Sequence, residues 1–203
     1  MKTLYIGSIN EFSGKGMLAM VLAMRLKAEG YKVGYMKPLG KSTASFGGKP
    51  ADEDAVLMKE VLGLGESLED ICPVTMTQDI FIKALQGGDL RLTEKVMAAF
   101  KKLSAGKDVM LIDGANTLYD GTYLDIGPIK LIKMMDAKAI VIDRYVDEVC
   151  TDCILTAGNV LKDRMIGAVI SHVPAKAADY INDLLVPFLK GKGIDVMAAI
   201  PID

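Results

Sequence analysis

The sequence predicts a single doubly wound α/β domain over residues 1–203, with a mainly parallel sheet and helices on both faces. Three observations carry that expectation. Short apolar runs alternate with helix-period segments along the whole chain. Several of the runs, such as "DVMLID" (108–113), are continuously apolar, as strands covered on both faces are. The first run opens into the glycine-containing turn "GSINEFSGKG" (7–16), which leads into a helix.

Taken in order, "TLYIG" (3–7) reads as a strand. A helix over 14–29 follows, with Met17, Val21 and Met24 beside Leu18, Leu22 and Leu26 as its expected buried face, and Gly30 stops it. "KVGYMK" (32–37) is the second strand, ended by Pro38. Residues 41–51 read as a polar loop and about 54–62 as a helix closed by Gly63. Residues 66–90 are the least regular part, punctuated by Pro73 and Gly87-Gly88. Thr93 heads a helix to about Leu103, and strand 108–113 is followed by the long polar segment 114–127, expected as a functional loop. The rest alternates: helix 128–135, strand 139–143, helix 147–162, strand 166–171, helix 176–190 and strand 195–200. Such alternation calls for parallel strands, whose ligands sit beyond their carboxyl ends.

Composition narrows the function classes. A chain of 203 residues, 51% apolar and 25% charged, can bury one good core. Its formal net charge is −2 with the basic residues scattered, so neither nucleic acid nor an anionic membrane is an expected partner. "GMLAMVLAM" is too short to span a bilayer, no secretory leader is evident, and three cysteines make no disulfide framework. A cytoplasmic domain is expected.

The turn after the first strand has the makings of a phosphate cradle, because backbone N–H groups and a helix N-terminus hold anionic oxygens while a lysine reaches the terminal phosphates. Gly7 ends the strand, and Gly14 and Lys15 open the helix. Ser8, Glu11, Ser13 and Gly16 complete the candidate nucleotide contacts. Six residues separate the two glycines where four are usual, and Gly16 stands where a hydroxyl residue normally binds Mg2+. Lys37 closes the second strand at the same sheet edge as Lys15, where the pair would suit a polyphosphate or a small acidic substrate. Asp52, Glu53 and Asp54 begin a helix, which capping and dipole compensation explain, while one of them could also hold Mg2+. Asp113, ending a buried strand before Gly114, is the stronger metal carboxylate, since a buried acid needs a partner. Cys150 and Cys153 form a C-x-x-C that Cys72 and His172 could extend to a zinc set, but three small buried hydrophobes and a loop histidine account for them better.

Read together, the loop, "GYMKPLG", "DEDAVLMKEVLGL", "LIDGA" and "IGAVISHV" resemble the dethiobiotin-synthetase-like P-loop family over essentially the whole chain. Residues 34–73 are most similar to the N-terminal domain of phosphotransacetylase-type and cobyrinic acid a,c-diamide synthase-like proteins. The resemblance implies a P-loop NTPase-like fold, ATP and Mg2+ as cofactors and a homodimer. A C-terminal partner domain commonly follows in such proteins. It implies Lys15 as the P-loop lysine, Lys37 as the substrate-side lysine, and Asp54 and Asp113 as metal carboxylates. Three departures stand out. Gly16 replaces the loop hydroxyl, Ser171 and His172 replace an asparagine that recognises adenine, and "LGKSTA" replaces the synthetase's Thr-Gly or Ser-Gly after Lys37-Pro38. From these departures the first expectation is a nucleotide-binding domain of regulatory or sensory type with weak catalysis. The alternatives are an ATP-dependent ligase activating a carboxylate or carbamate, and an interaction module with a vestigial pocket.

Overall fold

The computed structural model describes residues 1–202, the side chain of Lys49 excepted, so Asp203, the last residue of the expected domain, lies outside them. From the N-terminus, β1 (Lys2–Ser8) leads through the glycine-containing loop into α1 (Lys15–Ala28), and β2 (Val33–Met36) follows. An insertion then carries β3 (Leu39–Gly40), β4 (Thr43–Phe46), β5 (Lys49–Asp52), α2 (Glu53–Leu62), α3 (Leu68–Ile71), β6 (Val74–Thr75) and α4 (Gln78–Leu85). Regular alternation resumes with α5 (Leu92–Ser104), β7 (Val109–Asp113), α6 (Pro128–Met134), β8 (Lys138–Arg144), α7 (Val149–Leu161) and β9 (Met165–Val173). A helical stretch made of α8 (Ala178–Tyr180), a π-helical turn (Ile181–Leu185) and α9 (Val186–Gly191) precedes β10 (Val196–Pro201). The turn widens just before Pro187, which has no N–H for the helical ladder.

The main sheet holds six strands in the order β10-β9-β8-β1-β7-β2, all parallel, as the alternation predicts. From central β1 the chain runs out to β2 at one edge, returns to β7 beside β1, then crosses to β8, β9 and β10. Residues alternate between the faces, so Tyr5, Met110, Ile112 and Val141 meet α5, α6 and α7, while Tyr35, Leu111 and Val33 meet α1 and α2. Ile6, Ile140, Ile142 and Val169 pack against α1 through Ala19.

Three local expectations are corrected. Met17, Val21 and Met24 are 64%, 54% and 51% exposed, while α1 buries Lys15, Ala19 and Ala23. The buried stripe is the one with small side chains, because alanine lets the helix approach the sheet closely. Leu18, Leu22 and Leu26 flank it, half-buried against the sheet. Residues 43–52 form an antiparallel hairpin over most of the expected 41–51 loop, turned by Gly47 and Gly48 at φ 59 and 78, the pairing of positive angles that a two-residue turn needs. Helix α5 starts at Leu92, and Thr93 Oγ1 donates to the Asp125 carbonyl at 2.7 Å instead of capping it.

Candidate active site

Register assembles the site. Ile6 pairs with Asp113 and Met36 with Ile112, so the loop after β1, the end of β7 and Lys37, one residue past β2, reach one sheet edge at one level. Lys37, Tyr35 and Asp113 also share the face on which α1 packs, by the two-residue period of a strand. The Lys37 N–H donates to the Ile71 carbonyl at 2.8 Å, which anchors this stretch to α3.

Gly14 takes φ 84, a left-handed angle that glycine adopts without a steric penalty, and so turns the chain into α1. That helix has no side-chain cap and no acid in its first turn. Its leading N–H groups and the positive end of its dipole are thus left for an anion. The loop is held from three sides. Asn10 Nδ2 donates to Asp143 Oδ1 at the end of β8 (2.9 Å), and Ser171 Oγ at the end of β9 donates to the Ser13 carbonyl (2.7 Å). Behind it, Ser8 Oγ donates to the Asn116 carbonyl, Leu118 N–H donates to the Ser8 carbonyl (2.8 Å), and Asn116 Nδ2 donates to Glu11 Oε1 (3.2 Å). Ser8 and Ser171 therefore spend their protons on the protein. Ser13 Oγ is buried with no protein partner.

Beside the loop lies a buried charge network. Lys15 donates to Asp113 Oδ1, and Tyr35 donates to Asp113 Oδ2 at 2.9 Å. Lys37 Nζ stands 3.5 Å from Asp113 Oδ2 and 3.6 Å from Asp52 Oδ1, and donates to Asp54 Oδ2. Burial pushes the Asp113 carboxyl up, but Lys15 and Lys37, with the hydrogen bonds from Lys15 and Tyr35, outweigh it and hold the group below the usual carboxylate range. Burial likewise disfavours charge on Lys37, yet Asp113, Asp52 and Asp54 together raise its pKa. Asp52 caps α2 through the Ala55 N–H (3.1 Å), and burial raises its pKa despite Lys37. Burial and then Asp113 push Tyr35 far up, so its hydroxyl stays a donor.

The candidate residues are thus brought together unevenly. Lys15, Lys37, Asp113 and half-exposed Asp54 join one network. A Cβ on Gly7 would meet Leu118 at 2.8 Å, so this glycine serves a close approach, whereas one on Gly16 would meet nothing within 4 Å. Mg2+ binds a few carboxylates together with phosphate oxygens and water. Asp113 and Asp54 fit that demand, since both already face one cation, the Lys37 ammonium. Among the described residues no group of three or more His, Cys, Asp or Glu side chains is arranged to hold a metal unaided. The zinc set does not assemble, because Cys72 packs in the cluster on the α1 and α2 face and Cys150 in the one on the opposite face. Burial pushes both thiols up to about 12.

Sequence reasoning missed Tyr35, Asn10 and Asp143. Asp143 stands one residue before the end of buried β8, much as Asp113 ends β7, so the same signal was present. Tyr35 stands two residues before Lys37, on its face of the strand. A groove of about 330 Å3 adjoins the loop between α1 and the ends of β9 and β10, with Ser171 and His172 in its lining.

A family model described as "AAA domain" matches residues 2–203. Two relatives bear the name ATP-dependent dethiobiotin synthetase BioD. The one from Methanococcus vannielii is 29% identical over 134 residues, which is 64% of this chain and 59% of that protein. The one from Methanocaldococcus jannaschii is 26% identical over 137 residues, 64% of this chain and 60% of that protein. The matched region therefore spans less than two thirds of either relative. Among solved structures, the cell division protein FtsY from Thermotoga maritima superposes with a TM-score of 0.57 at 14% identity, over 100% of this chain and 65% of that one. Chloroplast FtsY from Physcomitrella patens gives 0.51 at 14% identity, over 100% of this chain and 62% of that one. At such identities the likeness is one of fold. Among the described residues no helix is long and apolar enough to cross a membrane.

Proposed function

The chain belongs to the AAA domain family, and from that premise we propose that it is an ATP- and Mg2+-dependent enzyme of the ligase class, activating a carboxylate or carbamate by phosphorylation. The observation that carries this reading is the Lys15–Asp113–Lys37 network, built into the mouth of an uncapped helix N-terminus. A purely structural domain has no use for two buried lysines and a buried carboxylate at the ligand edge of its sheet, where pairing them gains little over apolar packing. The two relatives with a synthetase name support the same class.

In this reading the loop N–H groups hold the phosphates, and the Lys15 ammonium swings from Asp113 to the terminal phosphoryl group, where negative charge must be stabilised in the transition state. That movement frees the Asp113 carboxylate. Asp113 and Asp54 are the residues that would hold Mg2+, which when bound neutralises phosphate charge. Lys37, kept charged by its carboxylates, orients the acidic substrate. Tyr35 fixes Asp113 from the side away from the loop. The missing hydroxyl at Gly16 favours slow turnover, the feature that a nucleotide-sensing domain shares.

The test is calorimetric titration of ATP, with and without Mg2+, into the parent protein and Lys15→Ala, paired with an assay of ADP release in the presence of carboxylate and amine candidates. Binding that needs Lys15, with turnover lost in Asp113→Asn while binding persists, supports the ligase. Binding without any turnover in the parent favours the sensor.

A further inference from the structure

We propose that the insertion between β2 and β7 carries a second ligand site, a groove that binds an amphipathic monocarboxylate of medium chain length, with the chain along an apolar floor and the carboxylate at Lys95 of α5. The site shares no residue with the phosphate loop and does not depend on the nucleotide reading above.

The groove encloses about 760 Å3, more than twice the volume beside the phosphate loop, and is walled by α2, the 43–52 hairpin, α3, α4 and α5. Its floor is the seam between two apolar clusters. Ala55 and Cys72 belong to the one on the α1 and α2 face, Val74 and Leu92 to the one on the opposite face. All four are buried, whereas Phe46 of the hairpin, in the same wall, keeps 40% of its surface exposed. A largely apolar groove of this size with a few polar groups is the usual form of a small-molecule site.

The charges on the wall decide what the groove takes. Each helix that supplies a buried floor residue supplies a lysine one turn later: Lys59 follows Ala55 on α2, and Lys95 follows Leu92 on α5. Both acids of the lining are already matched. Asp52 faces Lys37 and accepts the Ala55 and Ser42 N–H groups, and Glu69 has a partner of its own. The lysines keep their charge unanswered. Lys59 donates only to the carbonyls of Leu64 and Glu66, and the Lys95 ammonium has no partner among the described residues. Thr77 Oγ1 accepts from the Ile80 N–H at 3.3 Å, and its own proton has no acceptor among the described residues. The unspent capacity of the wall is therefore cationic and donating, which repels an amine and suits a carboxylate. Lys95 is exposed at the rim, so the carboxylate keeps part of its hydration while the chain is buried.

The experiment titrates octanoate, octanol and acetate into the full chain, followed by calorimetry and methyl NMR. Octanol reports the chain alone and acetate the head alone. Octanoate is expected to bind about tenfold more tightly than octanol, the worth of one charge-assisted hydrogen bond, to outbind acetate, and to shift the methyl resonances of Val74, Ile80 and Leu92. Lys95→Glu, a change at an exposed position, is expected to bring the octanoate–octanol ratio to one or below. Lys15→Ala is expected to leave octanoate affinity as it is, so loss of the nucleotide reading would leave this one standing. Octanol or acetate binding as tightly as octanoate, a ratio unchanged in Lys95→Glu, methyl shifts confined to other residues, or no saturable octanoate binding overturns the proposal.

Discussion

Lys37 Nζ stands 3.5 Å from Oδ2 of Asp113, the same oxygen that accepts the Tyr35 hydroxyl, while Lys15 holds the other oxygen. Three donors or cations thus face this carboxylate before any ligand arrives. Removing Lys15 leaves the buried Asp113 charge with only Lys37 and Tyr35 to offset it. Lys15→Met alone is expected to cost about 3 kcal/mol of stability, and the Lys15→Met/Asp113→Asn double variant less than the sum of its parts, by about 1–3 kcal/mol. Urea unfolding of the four proteins measures the coupling, and additivity would show that the contact carries no energy.

The same pairing sets an acid limit. Because the folded-state pKa of Asp113 lies below its ordinary value, its contribution is fully present above about pH 4 and is lost as the pH falls through the depressed value. Asp113→Asn should flatten the stability profile below about pH 4, measured by thermal unfolding across pH. An unchanged acid limb would assign the loss to other carboxylates.

Asp143 has the opposite sign. Burial raises its pKa, and Oδ2 has no partner, so its charge works against folding at neutral pH. Asp143→Asn keeps an oxygen for the Asn10 amide and is expected to gain about 1 kcal/mol, or ~2–4 °C in Tm. A fall in Tm would mean that the charge itself holds the loop.

At Gly16 the space around a missing Cβ is open and the backbone needs no positive φ, so Gly16→Thr should fold as the parent does. If the lost hydroxyl is what weakens the site, Mg-ATP binding should tighten about tenfold in calorimetry. Unaltered affinity would remove that explanation.

On α1, Val21→Lys should change stability by no more than about 0.5 kcal/mol, whereas Ala19→Leu should cost about 1–3 kcal/mol by overpacking against β1 and β8. Chemical denaturation of both variants decides whether the alanine stripe is the buried one.

The site was legible where chemistry is written into residue type and neighbourhood. Gly14-Lys15 announces itself after an apolar run, and Asp113 is conspicuous as an acid closing a buried strand. Asp52 was readable as a cap for the same reason, though its contact with Lys37 was not, because only the folded insertion brings α2 over the end of β2. Tyr35 stayed hidden since a tyrosine in an apolar strand looks like core until the fold brings its hydroxyl to Asp113 at the end of β7. The α1 stripe was misread because counting large apolar residues overlooks alanine, whose small size is the reason it packs closest. In the 43–52 hairpin the polar composition spoke for a loop, while the turn geometry resides in two adjacent glycines.

The strand order has a consequence for how the chain acquires its shape. Central β1 pairs only with β7 and β8, its first partner being Val109 opposite Lys2. During synthesis at about 5–20 residues per second, β1 therefore waits several seconds, unpaired, for β7 and β8 to be translated. Such long-range closure slows folding and leaves an apolar edge open to other chains in the interval. The strand that leads into the candidate site is thus made well before the two neighbours that secure it.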